Sequence, residues 1–491
     1  MKTYQEYLTT LEEFGVVEEV AYPIITIKGL PGVKPHEIVL FESGEFGEVY
    51  AMNADSVIAL LFSLESVHVG TKVVRTNKTV TVGLSEALLG MIITPLGQPF
   101  SMAGKAPEIT EEREVDIRPP DISQRARIQK PFITGSTIVD MMVPIGKGQK
   151  ELIIGDRKTG KSSFLLTTLK NHVLQGHIAI YAVIGKRKSD IKQLQEFVIR
   201  EKLEKNIVIV AANANDSLSL IYLTPFTAMT IAEYFRDAGR EMLIVLDDLT
   251  THAKVYREIS LLAKNFPGRD SYPGDIFYTH ARLLERAGNF LHPNKGEVSI
   301  TCLPIVETVE GDFAGYIATN TMGITDGHIY FDSNIFYNGR RPAINTAISV
   351  TRVGKQTQSH AKRDINRELT SFFSLYEKMQ NLSHFGAELT DNVKNILQTG
   401  EKLQRYFEQH YNVIVPEEVQ IILFCLLWLN FILPDKKTIE MIRDAMIDAN
   451  KKKETQQLFT DILHAGSLNE TLKNVSLNKE RLFALWKKDV G

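Results

Sequence analysis

Residues Gly155 to Ser162 read GDRKTGKS and satisfy the spacing G-x-x-x-x-G-K-[ST] at every fixed position. The flanks fit as well. Leu152-Ile153-Ile154 is an apolar run suited to a buried strand, and Ser163-Phe164-Leu165-Leu166 opens a helix. A strand that turns sharply into a helix needs glycine at its tight points. Gly155 and Gly160 therefore let successive N–H groups point inward at a polyphosphate. The helix start adds partial positive charge, Lys161 can reach the β- and γ-phosphates, and the Ser162 hydroxyl is suited to ligate Mg2+. The expected phosphate cradle is thus Gly155, Asp156, Arg157, Lys158, Thr159, Gly160, Lys161, Ser162 and Ser163. Such a loop commits the chain to an α/β sheet and to binding a nucleotide triphosphate.

A second element strengthens this reading. Met242-Leu243-Ile244-Val245-Leu246 has the length and apolarity of a parallel strand buried on both faces, and it ends in Asp247-Asp248. An acid at the carboxyl end of such a strand is expected beside the phosphate loop, with Asp247 holding Mg2+ opposite Ser162. Asp248 is the natural cap of the helix that follows.

Composition bounds the remaining choices. A chain of 491 residues should divide into several domains, and 44% hydrophobic with 23% charged residues is ordinary for a globular protein. A net charge of −3 argues against a mainly electrostatic nucleic-acid binder. Cys302 and Cys425 lie in apolar runs, as buried thiols in a reducing compartment would, and no His/Cys metal pattern accompanies them. The first twenty residues are too charged to read as a secretory leader. Val419 to Leu433 is the most apolar stretch, yet it is too short and too interrupted to span a bilayer and reads as a buried helix.

Texture changes along the chain. Met1 to about Glu13 suggests a short helix. From Gly15 to Gly83, β-branched runs such as Ile25-Thr26-Ile27, Glu37 to Phe41 and Thr79-Val80-Thr81-Val82 alternate with turn residues, which predicts a small barrel. Strands and helices then alternate, with Ile178 to Ile184 and Ile207 to Ala211 as further parallel strands. Beyond His360, amphipathic stretches such as Arg367 to Leu382 and Thr438 to Asn450 dominate. The expected fold is multidomain: a short helix and β-barrel over 1–83, a P-loop α/β nucleotide-binding domain over 84–358, and a helical domain over 359–491.

Longer motifs add a resemblance. GDRKTGKSS, DDLT at Asp247 with Tyr256-Arg257 beyond it, PGRDSYPGDIFYTHARLLERAG from Pro267, ITDG at Ile324, RRPAIN at Arg340 and SVTRVG at Ser349 occur in this order. Together they resemble the alpha-type subunits of F-type rotary ATPases, from about Leu11 into the helical region. The resemblance implies a barrel, a RecA-like α/β core and a helical domain, in a protomer that binds ATP or ADP with Mg2+. It also implies a hexamer alternating with beta-type catalytic subunits around a gamma-type shaft. That complex is membrane-associated, peripheral at the cytoplasmic face, and has no nucleic-acid partner.

Within that family, catalytic subunits carry a glutamate after the strand that follows the phosphate loop, where it polarises the attacking water. The matching stretch here is Ile184-Gly185-Lys186-Arg187-Lys188-Ser189, so Lys186 stands in that slot. An ammonium group cannot act as that base. It could contact phosphate or form part of an exposed basic turn. The resemblance assigns Arg352 as an arginine finger reaching a neighbour's γ-phosphate, a task suited to a permanently charged planar fork. It places Arg341, Pro342 and Gln409 beside the adenine.

Several positions depart from the family pattern. Lys158 replaces a glutamine, Gly323 replaces a serine, and the N-terminal arm that docks a peripheral stalk is shorter. A bias towards Lys, Asn, Ile and Phe accompanies these changes. Such departures fit a divergent paralogue of the kind mycoplasmas carry, one of which is associated with gliding motility. Ion transport, ATP synthesis and mechanical work all use such a subunit. Two other classes compete. A self-sufficient homohexameric export ATPase would need a carboxylate at position 186. A Rho-like nucleic-acid motor would need aromatic and basic residues on its barrel, which is instead rich in glutamate. Phe424 to Phe431 is unusually bulky, as a tight helical core or an aromatic docking face would be.

Overall fold

The computed structural model describes residues 3–65, 67–101, 106–384, 390–433 and 435–486. The chain divides into two compact units: 1–126 with 173–307 and 312–325, and 127–172 with 308–311 and 326–491.

The first unit opens with helix α1 (Tyr4–Leu11), started by a reciprocal cap in which Thr3 and Glu6 satisfy each other's backbone N–H groups. Six strands follow: β1 (Gly15–Ala21), β2 (Ile24–Lys28), β3 (Glu37–Phe41), β4 (Phe46–Met52), β5 (Val57–Leu61) and β6 (Lys72–Thr79). They close into a barrel in the order β1-β2-β5-β4-β3-β6. Every second side chain points inward along these strands, so Val17, Ile25, Ile27, Val39, Phe41, Val49, Ala59 and Val73 fill the interior. Tyr7 of α1 packs on the outside against Leu40 and Val74. The run Thr79 to Val82 is not one barrel strand. It breaks at Val80, and Thr81–Leu84 pairs with Glu111–Glu114 away from the barrel.

The same unit holds a parallel sheet ordered Gly296–Thr308, Met242–Asp247, Ile178–Lys186, Ile207–Asn213 and Ile92–Ile93, with Gly288–His292 antiparallel on the first strand. The central strands are buried along almost their whole length, as strands covered on both faces must be. Helices Lys188–Arg200, Leu218–Asp237 and Leu249–Leu262 connect or flank them. Arg286 is fully buried here. It pairs with Glu233 at 2.6 Å and also donates to the Val115 carbonyl and the Thr230 hydroxyl, so its charge is fully engaged.

In the second unit, strand Glu151–Asp156 runs parallel to Gly327–Phe331, which in turn pairs antiparallel with Val350–Thr351. Helix Lys161–Leu174 follows the first strand. Beyond residue 358 all regular elements among the described residues are helical: His360–His384, Asp391–Phe407, Glu417–Trp428, Lys436–Ala449, Lys453–Leu463, Leu468–Leu477 and Lys479–Phe483. The apolar run expected as one helix to Leu433 ends at Trp428. Asn430 adopts φ 55°, its N–H meets the Leu427 carbonyl, and the Phe431 N–H meets the Leu426 carbonyl, a left-handed C-terminal lock. Trp428 is half-buried against Phe424 and Phe372, and Phe431 lies under the Lys479 ammonium. No helix among the described residues is long and apolar enough to cross a membrane.

Candidate nucleotide site

The phosphate loop begins where strand Glu151–Asp156 ends. Gly155 has φ 151°, and a Cβ there would collide with the Phe331 carbonyl, so no other residue fits. Gly160 has φ 96°, and Lys158 takes the left-handed region at φ 63°. The Asp156 carboxylate does not face the loop. Its Oδ1 accepts from the Thr308 hydroxyl at 2.6 Å and the Gly311 N–H at 2.9 Å, and its Oδ2 accepts from Ser333 at 2.9 Å. Burial pushes this carboxyl up, but those hydrogen bonds and the Lys161 charge outweigh it and hold it below the usual aspartate range.

Thr159 is buried and its hydroxyl donates to the Asp156 carbonyl at 2.8 Å. Lys161 starts the helix, and its Nζ donates back to the carbonyls of Gly155 at 2.8 Å and Asp156 at 2.5 Å. Arg157, Lys158, Ser162 and Ser163 are exposed. The Ser162 and Ser163 backbone N–H groups open the first helical turn, where donors lack intrahelical partners.

A cavity of about 360 Å3 adjoins this loop, lined by Thr159, Gly160, Ser163, Phe164, Thr167, Phe336, Arg341, Pro342, Gln409, His410 and Tyr411. The structure therefore gathers Arg341, Pro342 and Gln409 with the loop, although they lie far along the chain. Arg341 stacks over the Phe336 ring, 3.4 Å from its centre, and donates to the Phe336 and Arg340 carbonyls. Gln409 is buried and pinned on all sides. It accepts from the Thr137 N–H at 2.9 Å, donates to the carbonyls of Gly135 and Val413, and its own N–H bonds to the Arg341 carbonyl. Asp140 fixes the neighbouring turn by accepting from the N–H groups of Thr134 and Gly135. Flat aromatic and guanidinium faces beside a phosphate-sized loop suit a purine base. Phe336 and Tyr411 escape sequence reasoning; an aromatic in a short helix or an irregular loop carries no periodic signal.

Asp247 belongs to the first unit, at the end of strand Met242–Asp247. Its neighbour in the sheet, Ile178–Lys186, carries a bulge between Ile184 and Lys186 at Gly185, which has φ 62°. The bulge re-aims the last residue of the strand. Lys186 Nζ lies 2.9 Å from Asp247 Oδ1, 2.8 Å from Asp248 Oδ2 and 4.0 Å from Glu307. Tyr181 donates to Asp247 Oδ2 at 3.0 Å. Asp248 caps the helix Leu249–Leu262 by accepting from the Thr251 N–H at 2.6 Å. Burial alone would lower the Lys186 ammonium, but the two aspartates outweigh it and hold it well above the usual lysine value. Lys186 is therefore an ion-paired cation, neither an exposed basic turn nor a base. Each oxygen of Asp247 thus accepts one hydrogen bond and keeps a second lone pair.

Arg352 follows strand Val350–Thr351 and is exposed, with its N–H on the Asp326 carbonyl at 3.0 Å. Behind it Glu151 is fully buried and accepts from Gln149 at 2.6 Å. Burial drives the Glu151 carboxyl well above its usual range, with Gln149 and the Arg352 charge opposing only in part. Gly323 is an exposed helical residue where a Cβ would touch nothing.

Comparison with known proteins agrees with this architecture. Residues 135–351 match the nucleotide-binding domain of the ATP synthase alpha/beta family, and residues 358–479 match the C-terminal domain of the ATP synthase alpha/beta chain. The mitochondrial ATP synthase subunit alpha of Schizosaccharomyces pombe is 39% identical over 424 residues, covering 84% of this chain and 78% of that protein. The ATP synthase subunit alpha of Clostridium acetobutylicum is 39% identical over 422 residues, covering 86% and 83%. That of Helicobacter acinonychis is 37% identical over 414 residues, covering 84% and 82%. With both family domains in sequence and alpha subunits as its relatives over most of its length, this chain belongs to the ATP synthase alpha/beta family, on the alpha side.

Proposed function

We propose that this chain holds ATP or ADP at a non-catalytic site and completes the active site of a neighbouring beta-type subunit in an F-type-like ring. The adenine rests between Arg341, Pro342 and Gln409, and the polyphosphate lies in the loop from Gly155 to Ser163. Arg352, exposed at a strand end, reaches across to the neighbour's γ-phosphate, where a guanidinium stabilises developing charge. The ring surrounds a gamma-type shaft that turns as ATP is hydrolysed, and the complex sits peripherally at the cytoplasmic face of a membrane.

One observation carries the non-hydrolysing part of this reading. The position where a catalytic subunit needs a carboxylate holds the Lys186 ammonium, locked on Asp247 and Asp248. A group that is already protonated and ion-paired cannot take a proton from water. The purified single chain should therefore bind ATP and hydrolyse it negligibly, and Lys161→Ala should abolish the binding. Sustained turnover by the verified monomer would refute the reading.

A further inference from the structure

Purines are told apart at their edges. Adenine presents a donor at N6 beside an acceptor at N1, whereas guanine presents an acceptor at O6 beside donors at N1 and N2. A free Asn or Gln amide, which donates and accepts side by side, is the side chain that reads adenine. Gln409 puts such an amide in the cavity wall, but it is only 7% exposed. Its Oε1 accepts from the Thr137 N–H at 2.9 Å, while its Nε2 donates to the Gly135 carbonyl at 2.7 Å and the Val413 carbonyl at 2.6 Å. An N–H on one side and two carbonyls on the other fix which end of the amide is nitrogen. Both of its N–H groups are therefore spent. Turning the amide towards a base would strand a buried N–H and two carbonyls. What Gln409 keeps is a lone pair on Oε1, and either purine has an N–H to give it.

Other polar groups in the wall add no discrimination. Arg341 spends one guanidinium nitrogen on the Phe336 and Arg340 carbonyls, and its remaining N–H groups can only donate, to the N3 and N7 acceptors that both purines carry. The Thr159 and Thr167 hydroxyls are turned to backbone carbonyls. Ser136 lines the same cavity at 4% exposure, and its buried hydroxyl has no hydrogen-bond partner among the described residues. A hydroxyl rotates to donate or to accept, so it meets an amino or an oxo group alike. Tyr411 is 48% exposed and the His410 side chain 69%. Water reaches that side of the cavity, and a base group left unmatched there keeps its hydrogen bonds to solvent. Strong rejection of a wrong ligand needs the opposite, a buried polar partner left unpaired.

We propose that this site takes purine nucleotides as a class, ATP and GTP alike, gripping the ring system by its faces and leaving its six-position unread. The inference deepens the nucleotide-site reading above and rests on it. Phe336 and Arg341 supply flat faces that hold a two-ring base more firmly than a one-ring base. Gln409 serves the fold, tying the turn at Gly135 and the start of helix Thr137–Met142 to the chain at Val413.

The test is a set of calorimetric titrations of the full-length native chain with ATP, GTP and CTP, all in the same buffer with the same Mg2+. The ATP and GTP dissociation constants should agree within about fivefold, and CTP should bind more than about fivefold more weakly than ATP. A gap between ATP and GTP wider than about fivefold overturns the inference and leaves the nucleotide site standing, since a group in the wall then reads the six-position. CTP binding within about fivefold of ATP also overturns it, because the site then holds the phosphates without seating the base. Lys161→Ala locates the binding and should abolish it for ATP and GTP together. Binding that survives this change, or no binding of any nucleotide by the native chain, overturns the nucleotide-site reading and this inference with it.

Discussion

In the first unit Arg286 is buried against Glu233 and Lys186 is wedged between Asp247 and Asp248, whereas in the second unit Arg157, Lys158 and Arg352 stand exposed. Both arrangements use cations, but for different ends. An inward cation is matched by an acid a hydrogen bond away, and its removal leaves a charge stranded out of water. An outward cation is screened by solvent, adds little to the fold, and remains within reach of an incoming anion. Arg286 should therefore report on stability and Arg352 on function.

The sharpest way to break this division is Arg352→Ala in a reconstituted ring. ATP hydrolysis should fall by about 10³-fold, the scale of a lost arginine finger, while the melting temperature and the chain's own ATP affinity stay unchanged. A loss below about threefold would show that Arg352 is not the finger. The inward counterpart is Arg286→Ala, which should cost about 3–5 kcal/mol in chemical denaturation. Replacing the pair together, Arg286→Met with Glu233→Leu, should lose clearly less, because no lone charge remains. Equal losses would mean that the pair matters for shape rather than charge.

A smaller effect should come from Glu151. Its folded carboxyl sits well above the usual range, so on raising the pH the unfolded chain releases a proton that the folded chain keeps. Stability should then fall with rising pH across that window, by at most about 1.4 kcal/mol per pH unit, and level off above the folded value. Glu151→Gln should flatten this slope; an unchanged slope would assign it to another group. The smallest expected change is at Gly323, where serine should stabilise the helix Tyr316–Ile324 by about 0.5 kcal/mol. Destabilisation there would show that the exposed position is more constrained than its surroundings indicate.

Much of this architecture was legible in the residues. The strand, loop and helix around Gly155 and Lys161 follow from local chemistry, as do the barrel's short β-branched runs and the helix capped by Asp248. Features that depend on which elements become neighbours were not legible. Lys186 meets Asp247 only because Ile178–Lys186 pairs with Met242–Asp247, a strand order that no local pattern encodes. The cavity wall behaves likewise: Phe336 and Tyr411 meet the loop through folding over long separations. Asn430 is a case of a signal present but faint. Asparagine tolerates the left-handed conformation, and it stops the apolar helix well before the apolar run ends.

Lys161 gives the phosphate loop a particular character. Its ammonium is already held by the carbonyls of Gly155 and Asp156, so its long side chain has surrendered most of its rotamer freedom before any anion arrives. Binding a polyphosphate is then an exchange reaction, in which phosphate oxygens replace carbonyl oxygens around the Lys161 ammonium. The entropic cost of ordering the lysine falls on folding rather than on binding. Recognition at this loop accordingly depends on how well a ligand's oxygens outcompete two peptide carbonyls, a contest that a dianionic phosphate wins and a neutral acceptor does not.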